Sequence, residues 1–121
     1  MRTLITGSTT WTDAVALRRE LSQLSATSVI VTGDTPGVDA IAIAIAQDLG
    51  LGVEAMHKSA EDYCRYPVDG WKGLNERMLK TGIDLVLAFH ADYGKPGMAR
   101  GTVHAVELAQ HAGVEVRIFL D

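Results

Sequence analysis

The chain has 121 residues, 47% apolar and 21% charged, the proportions of one ordinary globular domain spanning 1–121. Its formal net charge of −4 excludes the basic balance of a bulk nucleic-acid binder, whose affinity draws on counterion release. The single cysteine, Cys64, excludes an intrachain disulfide, and no apolar run reaches the ~20 residues of a membrane span. With no basic leader before the first strand, a reducing, cytoplasmic setting is expected.

The first predicted strand is Arg2–Thr6, and a helix follows from about Thr12 to Leu24, with Thr12 as candidate N-cap. The second strand is Ser28–Thr32. The run Ile41-Ala42-Ile43-Ala44-Ile45-Ala46 alternates as a strand would, yet it reads as helix. Thr35 is a good N-cap, Pro36 suits the first helical position, alanine favours helix, and Gly50 closes the run. Val53–His57 is the third strand. Lys58–Gly70 reads as loop. Trp71, Leu74, Met78 and Leu79 then recur at helical spacing until Gly82.

The fourth strand, Ile83–Phe89, is almost wholly apolar, as suits a central parallel strand covered on both faces. A last helix runs from near Thr102 to Gly113, and Val114–Leu120 is the fifth strand. Strands alternating with helices predict an α/β fold: a Rossmann-like, three-layer, doubly wound parallel sheet of about five strands, ordered 3-2-1-4-5.

Three glycine-bearing turns follow strands and precede helices, so all three lie at the carboxyl edge of such a sheet, where the ligand crevice forms. The first is Gly7-Ser8-Thr9-Thr10-Trp11. Gly7 permits close backbone approach, Ser8 and Thr9 offer hydroxyls, and Trp11 offers a ring to a base. The second is Gly33-Asp34-Thr35-Pro36-Gly37-Val38-Asp39. Asp34 suits a ribose hydroxyl, or a metal, better than a phosphate; Asp39 reads nearly equally as a site acid or as an acid stabilised by the helix dipole. The third, from His90 to Thr102, ends in Arg100-Gly101-Thr102, where N–H groups at a helix start suit an anion. On the helix after Trp71, Asn75 can pair with a base edge, and Arg77 can clamp a phosphate.

His90 and His104 lack metal-ligand spacing, and the dinucleotide fingerprint G-x-G-x-x-G is absent, so neither a metal nor a cofactor is expected.

The ordered set Thr6-Gly7-Ser8 with Trp11, Gly33 with Gly37 and Asp39, Asn75 with Arg77-Met78, and Arg100-Gly101-Thr102 resembles the SLOG superfamily, which includes DprA-type and LOG-type proteins. The resemblance is to its small cpYpsA-related, YspA-like branch. That branch often has Arg where this chain has Thr9, and Gly-Gly-x-Arg-Gly-x-Asp where it has Gly33 to Asp39, with Pro36 in place of the Arg. Arg77 and Arg100 are then the remaining phosphate clamps. Ala105 stands where LOG-type phosphoribohydrolases have a Glu, so the resemblance implies a nucleotide-type pocket without that activity.

The expected function is binding of a nucleotide or ADP-ribose-like phosphorylated ligand, as sensor or sequestering module, with no residue assigned to catalysis. The alternatives are a hydrolase or glycosidase acting on such a ligand, drawing on Asp34, Asp39 or Glu107, and a DprA-like DNA-processing accessory. A nucleotide-like small molecule is the expected partner, nucleic acid and membrane are not, and the resemblance with the apolar helices suggests a homo-oligomer.

Overall fold

A computed structural model describes residues 1–121. The elements are β1 (Arg2–Gly7), α1 (Ala14–Leu21), β2 (Val29–Thr32), α2 (Val38–Asp48), β3 (Gly52–Ala55), α3 (Ala60–Arg65), α4 (Gly70–Lys80), β4 (Leu85–Phe89), α5 (Arg100–His111) and β5 (Glu115–Phe119). The strands form one parallel sheet in the order β3-β2-β1-β4-β5. The expected topology is therefore the observed one.

The period-two alternation of the strands sorts the core into two layers. Ile5, Ile30, Leu85, Leu87 and Phe89 face α1 and α2, where Leu17, Leu21, Val38 and Ile45 meet them. Leu4, Val31 and Val86 face the other way, onto Leu74 and Met78 of α4 and Ala109 of α5. Helix α2 confirms the reading of the Ile–Ala run: Ala42 and Ala46 are fully buried, so small side chains bring the helix onto the sheet.

Three helix starts differ from the sequence reading. α1 is capped by Asp13, not Thr12; its carboxylate Oδ1 accepts from the N–H groups of Val15 (3.0 Å) and Ala16 (3.2 Å). A charged acceptor at the positive end of a helix outcompetes a neutral hydroxyl one residue earlier. α2 begins at Val38 with Gly37 as N-cap, and Thr35 caps nothing. Its hydroxyl instead donates to Asp39 Oδ2 at 2.7 Å. α5 begins at Arg100 behind Ala99, so Thr102 lies inside the first turn rather than before it.

One helix escaped the sequence reading. Within the expected loop Lys58–Gly70, α3 is opened by a reciprocal capping box: the Ser59 N–H donates to Asp62 Oδ2 (2.9 Å) and the Asp62 N–H to Ser59 Oγ (3.4 Å). The S-x-x-D signature was legible, but six residues are too few to show a periodicity.

Candidate functional site

The chain runs from β1 outward to β2 and β3, then crosses to β4 on the other side of β1. That reversal opens a crevice beyond the carboxyl ends of β1 and β4. The crevice has a volume of about 490 Å³. Of the predicted residues it is lined by Gly7, Ser8, Thr9, Gly33, Asp39, Asn75, Arg100, Gly101 and Thr102.

Its floor is built by backbone. The Ser8 N–H donates to Phe89 O at 2.9 Å, and Ser8 O accepts from Val38 N at 3.0 Å. These bonds tie the first turn to β4 and to the start of α2. At Gly7 an added Cβ would overlap the Phe89 carbonyl. Ser8 Oγ accepts from Thr10 N at 3.1 Å, so this hydroxyl shapes its own turn.

Asp39 is 9% exposed and fully engaged. Its Oδ1 accepts from Thr32 Oγ1 (2.7 Å), and its Oδ2 accepts from Thr35 Oγ1 (2.7 Å) and Thr35 N (3.3 Å). Burial pushes its carboxyl above the ordinary aspartate value, while the threonine hydrogen bonds pull it down. Asp39 thus braces the second turn from the crevice lining.

The far wall is the start of α5. No side chain caps it, and the first-turn segment Arg100-Gly101-Thr102 faces the crevice. Ala99 reaches this turn in the left-handed region, at φ 56°. Such backbone costs a non-glycine residue roughly 1–2 kcal/mol. Asn75, only 7% exposed, holds the turn from α4: its Nδ2 donates to Gly101 O at 3.1 Å and to His104 Nδ1 at 3.1 Å. These partners fix the amide orientation and leave Oδ1 of the crevice-lining Asn75 without a hydrogen-bond partner in the protein.

Because Nδ1 accepts from Asn75, His104 is neutral with its proton on Nε2. Burial lowers its pKa below 6.5; Glu76 on α4 and Glu107 on its own helix pull upward, and Lys72 pushes down. Between that lowered value and 6.5 the unfolded chain binds more protons than the folded one, so stability should fall as pH drops through this window. Urea denaturation across that range should show a flatter dependence in His104→Gln; an unchanged slope would separate His104 from it.

Four predicted residues stand elsewhere. Trp11 is 9% exposed, edge-on to Phe89 at 5.8 Å, with Nε1 donating to Asp13 O at 2.9 Å. It is a core ring, not a base platform. Gly37 is packed beneath the carbonyls of Ser8 and Thr9. Asp34 turns outward and pairs with His57 Nδ1 at 2.5 Å. Arg77 is no rim clamp: its Nε and Nη2 donate to Asp62 at 2.8 and 2.6 Å, and Nη2 also to His57 O at 2.6 Å.

A profile of the YspA, cpYpsA-related SLOG family matches residues 1–61, from β1 into α3. The chain belongs to that family. No curated protein matches the chain. Among solved structures, DNA processing protein A (DprA) from Streptococcus pneumoniae superposes with a TM-score of 0.72 at 16% identity, over 97% of this chain and 49% of that one. The chain thus spans about half of that structure, and at this identity the likeness is one of fold.

The profile ends before α4, and of the crevice residues that sequence reasoning missed, Trp71 and His90 lie beyond it and Lys58 within it. Trp71 lines the crevice in place of Trp11, with Arg100 above its ring at 5.7 Å. Its helical spacing places it on a helix and carries no sign of the crevice. Lys58 and His90 also line the crevice. No three His, Cys, Asp or Glu side chains converge as a metal site, and no helix is long and apolar enough to cross a membrane.

Proposed function

We propose that this SLOG-family chain binds a nucleotide or ADP-ribose-like phosphorylated ligand in the crevice, as a sensor or sequestering module. One observation carries the reading: the uncapped start of α5 opens on a concave site of about 490 Å³ lined by Arg100 and Lys58 against the single outer acid Asp92, and by Asn75, whose Oδ1 is unpartnered. That volume lies within the usual range of small-ligand sites, roughly 300–1,000 Å³. First-turn N–H groups, the helix dipole and two cations favour an anion. Thr9 and Thr10 suit ribose hydroxyls, and Asn75 Oδ1 suits a donor such as an exocyclic amine.

The two aspartates of the second turn speak for binding over hydrolysis. Asp39 is occupied by Thr32 and Thr35, and Asp34 faces His57 outside the crevice. DprA is described as a DNA processing protein, but the acidic balance of this chain and its compact crevice favour a small molecule over a strand.

A thermal-shift titration with ADP-ribose and AMP tests the reading, since ligand at 100 times Kd stabilises by about 2.7 kcal/mol. Arg100 is 65% exposed, and its nearest acid, Asp69, is 3.6 Å away. Arg100→Ala should therefore leave the unliganded Tm almost unchanged while weakening ADP-ribose about ten- to hundred-fold, the loss of one charge-assisted hydrogen bond. Calorimetry showing no binding of either ligand by the unaltered protein would overturn the proposal.

A further inference from the structure

The crevice does not end at Trp71 and Arg100. Both side chains also border a second, shallower and more open depression, of about 390 Å³, outside the first. It lies between α4, the His90–Thr102 segment and the outer face of α5, and it holds Lys72, Lys95, Met98, Val103 and Glu107. Arg100 and Trp71 are therefore a shared partition with a ligand-sized space on each side.

The charges are distributed around that partition. Lys58 lies in the first compartment, Arg100 at the junction, and Lys72 and Lys95 in the second. Their acidic neighbours hold them weakly. Lys95 meets Asp92 at 2.9 Å, while Lys72 and Arg100 approach Asp69 at 3.7 and 3.6 Å. Exposed pairs of this kind are weak, so a phosphate competes with the carboxylates for these cations. Ring contacts are available in the second compartment too. Met98, 47% exposed, and Val103 offer apolar surface, and Trp71 carries Lys72 at 5.6 Å and Arg100 at 5.7 Å over its ring.

A mononucleotide would place its charge at one end and leave the second compartment unused. From the shared Arg100 and the two flanking spaces, we propose that the ligand carries its phosphates in the middle and a ring-bearing group at each end. Its chemical class is a small dinucleotide joined through a pyrophosphate. The phosphates lie on Arg100 and the α5 start, one nucleoside occupies the first compartment, and the other lies over Met98 and Val103. This rests on the crevice reading above and goes further by naming the shape and charge order of the ligand.

Calorimetric titrations of the full chain with AMP, ADP-ribose, diadenosine pyrophosphate and an oligothymidylate test it, on the unaltered protein and on a Lys72→Ala/Lys95→Ala variant. The expected order is diadenosine pyrophosphate tightest, ADP-ribose next, AMP weakest. The variant should lose at least about tenfold for the dinucleotide and less than about threefold for AMP, because neither lysine lines the first compartment. Equal affinity for AMP and the dinucleotide, or equal losses for both in the variant, overturns the two-compartment proposal and leaves the crevice reading standing. Tighter binding of the oligothymidylate than of the dinucleotide also overturns it. Failure of every nucleotide to bind overturns both.

Discussion

Arg77→Ala should destabilise the protein by about 3 kcal/mol, the low end of the cost of breaking a buried ion pair, because Asp62 is buried while Arg77 is partly exposed. Asp62 is 1% exposed, and Arg77 holds both of its oxygens, at 2.8 and 2.6 Å. The pair does two further structural jobs. The Asp62 carboxylate also accepts from Ser59 N at 2.9 Å, closing the start of α3. The guanidinium donates to His57 O at 2.6 Å, fastening the segment after β3. The packing of α3 on α4 is close enough that a Cβ on Gly73 would come within 2.8 Å of Asp62 Cα.

The pH dependence gives a second readout. The Arg77 guanidinium holds the Asp62 carboxyl at about 2, below the ordinary 3.8. A lowered carboxylate pKa contributes stability that is complete above 3.8 and is lost as pH falls toward about 2. At 1.36 kcal/mol per pK unit, that contribution is roughly 2 kcal/mol. Chemical denaturation of Arg77→Ala should show the loss at neutral pH and a much smaller further fall below pH 4. Adding Asp62→Ala to Arg77→Ala should cost far less than Asp62→Ala alone, because no orphaned charge remains to be buried. An Arg77→Ala variant with unchanged stability and impaired ADP-ribose binding would return this residue to the crevice.

The contrast between Arg77 and Arg100 marks where the sequence stops being informative. Both are arginines near helix ends on the same side of the sheet, and both looked like phosphate clamps. What separates them is Asp62, fifteen positions from Arg77 and hidden in a helix too short to be read from periodicity. Trp11 and Trp71 make the same point. Each follows a strand or loop and opens a helical pattern, but only tertiary packing buries one against Phe89 and places the other on the crevice.

The strand order and the alignment of three turns along one edge were readable because they rest on alternation and on crossover handedness, which local pattern encodes. Helix starts were read less well. The hydroxyls of Thr12 and Thr35 read as caps, but an acid (Asp13) and bare backbone (Gly37) begin those helices. Asp39 shows the reverse situation. A candidate site acid proved to be the acceptor that receives the hydroxyl expected to cap its helix.

Gly37→Ala should be the other severe substitution, costing about 3–5 kcal/mol when strain and overlap combine. Gly37 has φ 78° and ψ −126°, a region that L-residues with a Cβ rarely enter. An added Cβ there would also overlap the Ser8 carbonyl and come within 2.6 Å of the Thr9 carbonyl oxygen. Both obstacles are backbone, so no rotamer change relieves them. The damage would reach the crevice, because Ser8 O is also the acceptor for Val38 N at 3.0 Å, the bond that locks the first turn to α2. Gly50→Ala is the matched control. Gly50 has φ 75° but nothing within 4 Å of an added Cβ, so only the left-handed backbone cost of roughly 1 kcal/mol should appear. The difference between the two variants in urea denaturation isolates the steric part at Gly37. If ADP-ribose binds in the crevice, the fraction of Gly37→Ala that still folds should bind it more weakly, and Gly50→Ala should bind it normally. Equal, small losses in both variants would mean that the first turn can yield to the new methyl, and that the crevice floor is softer than its hydrogen bonds imply.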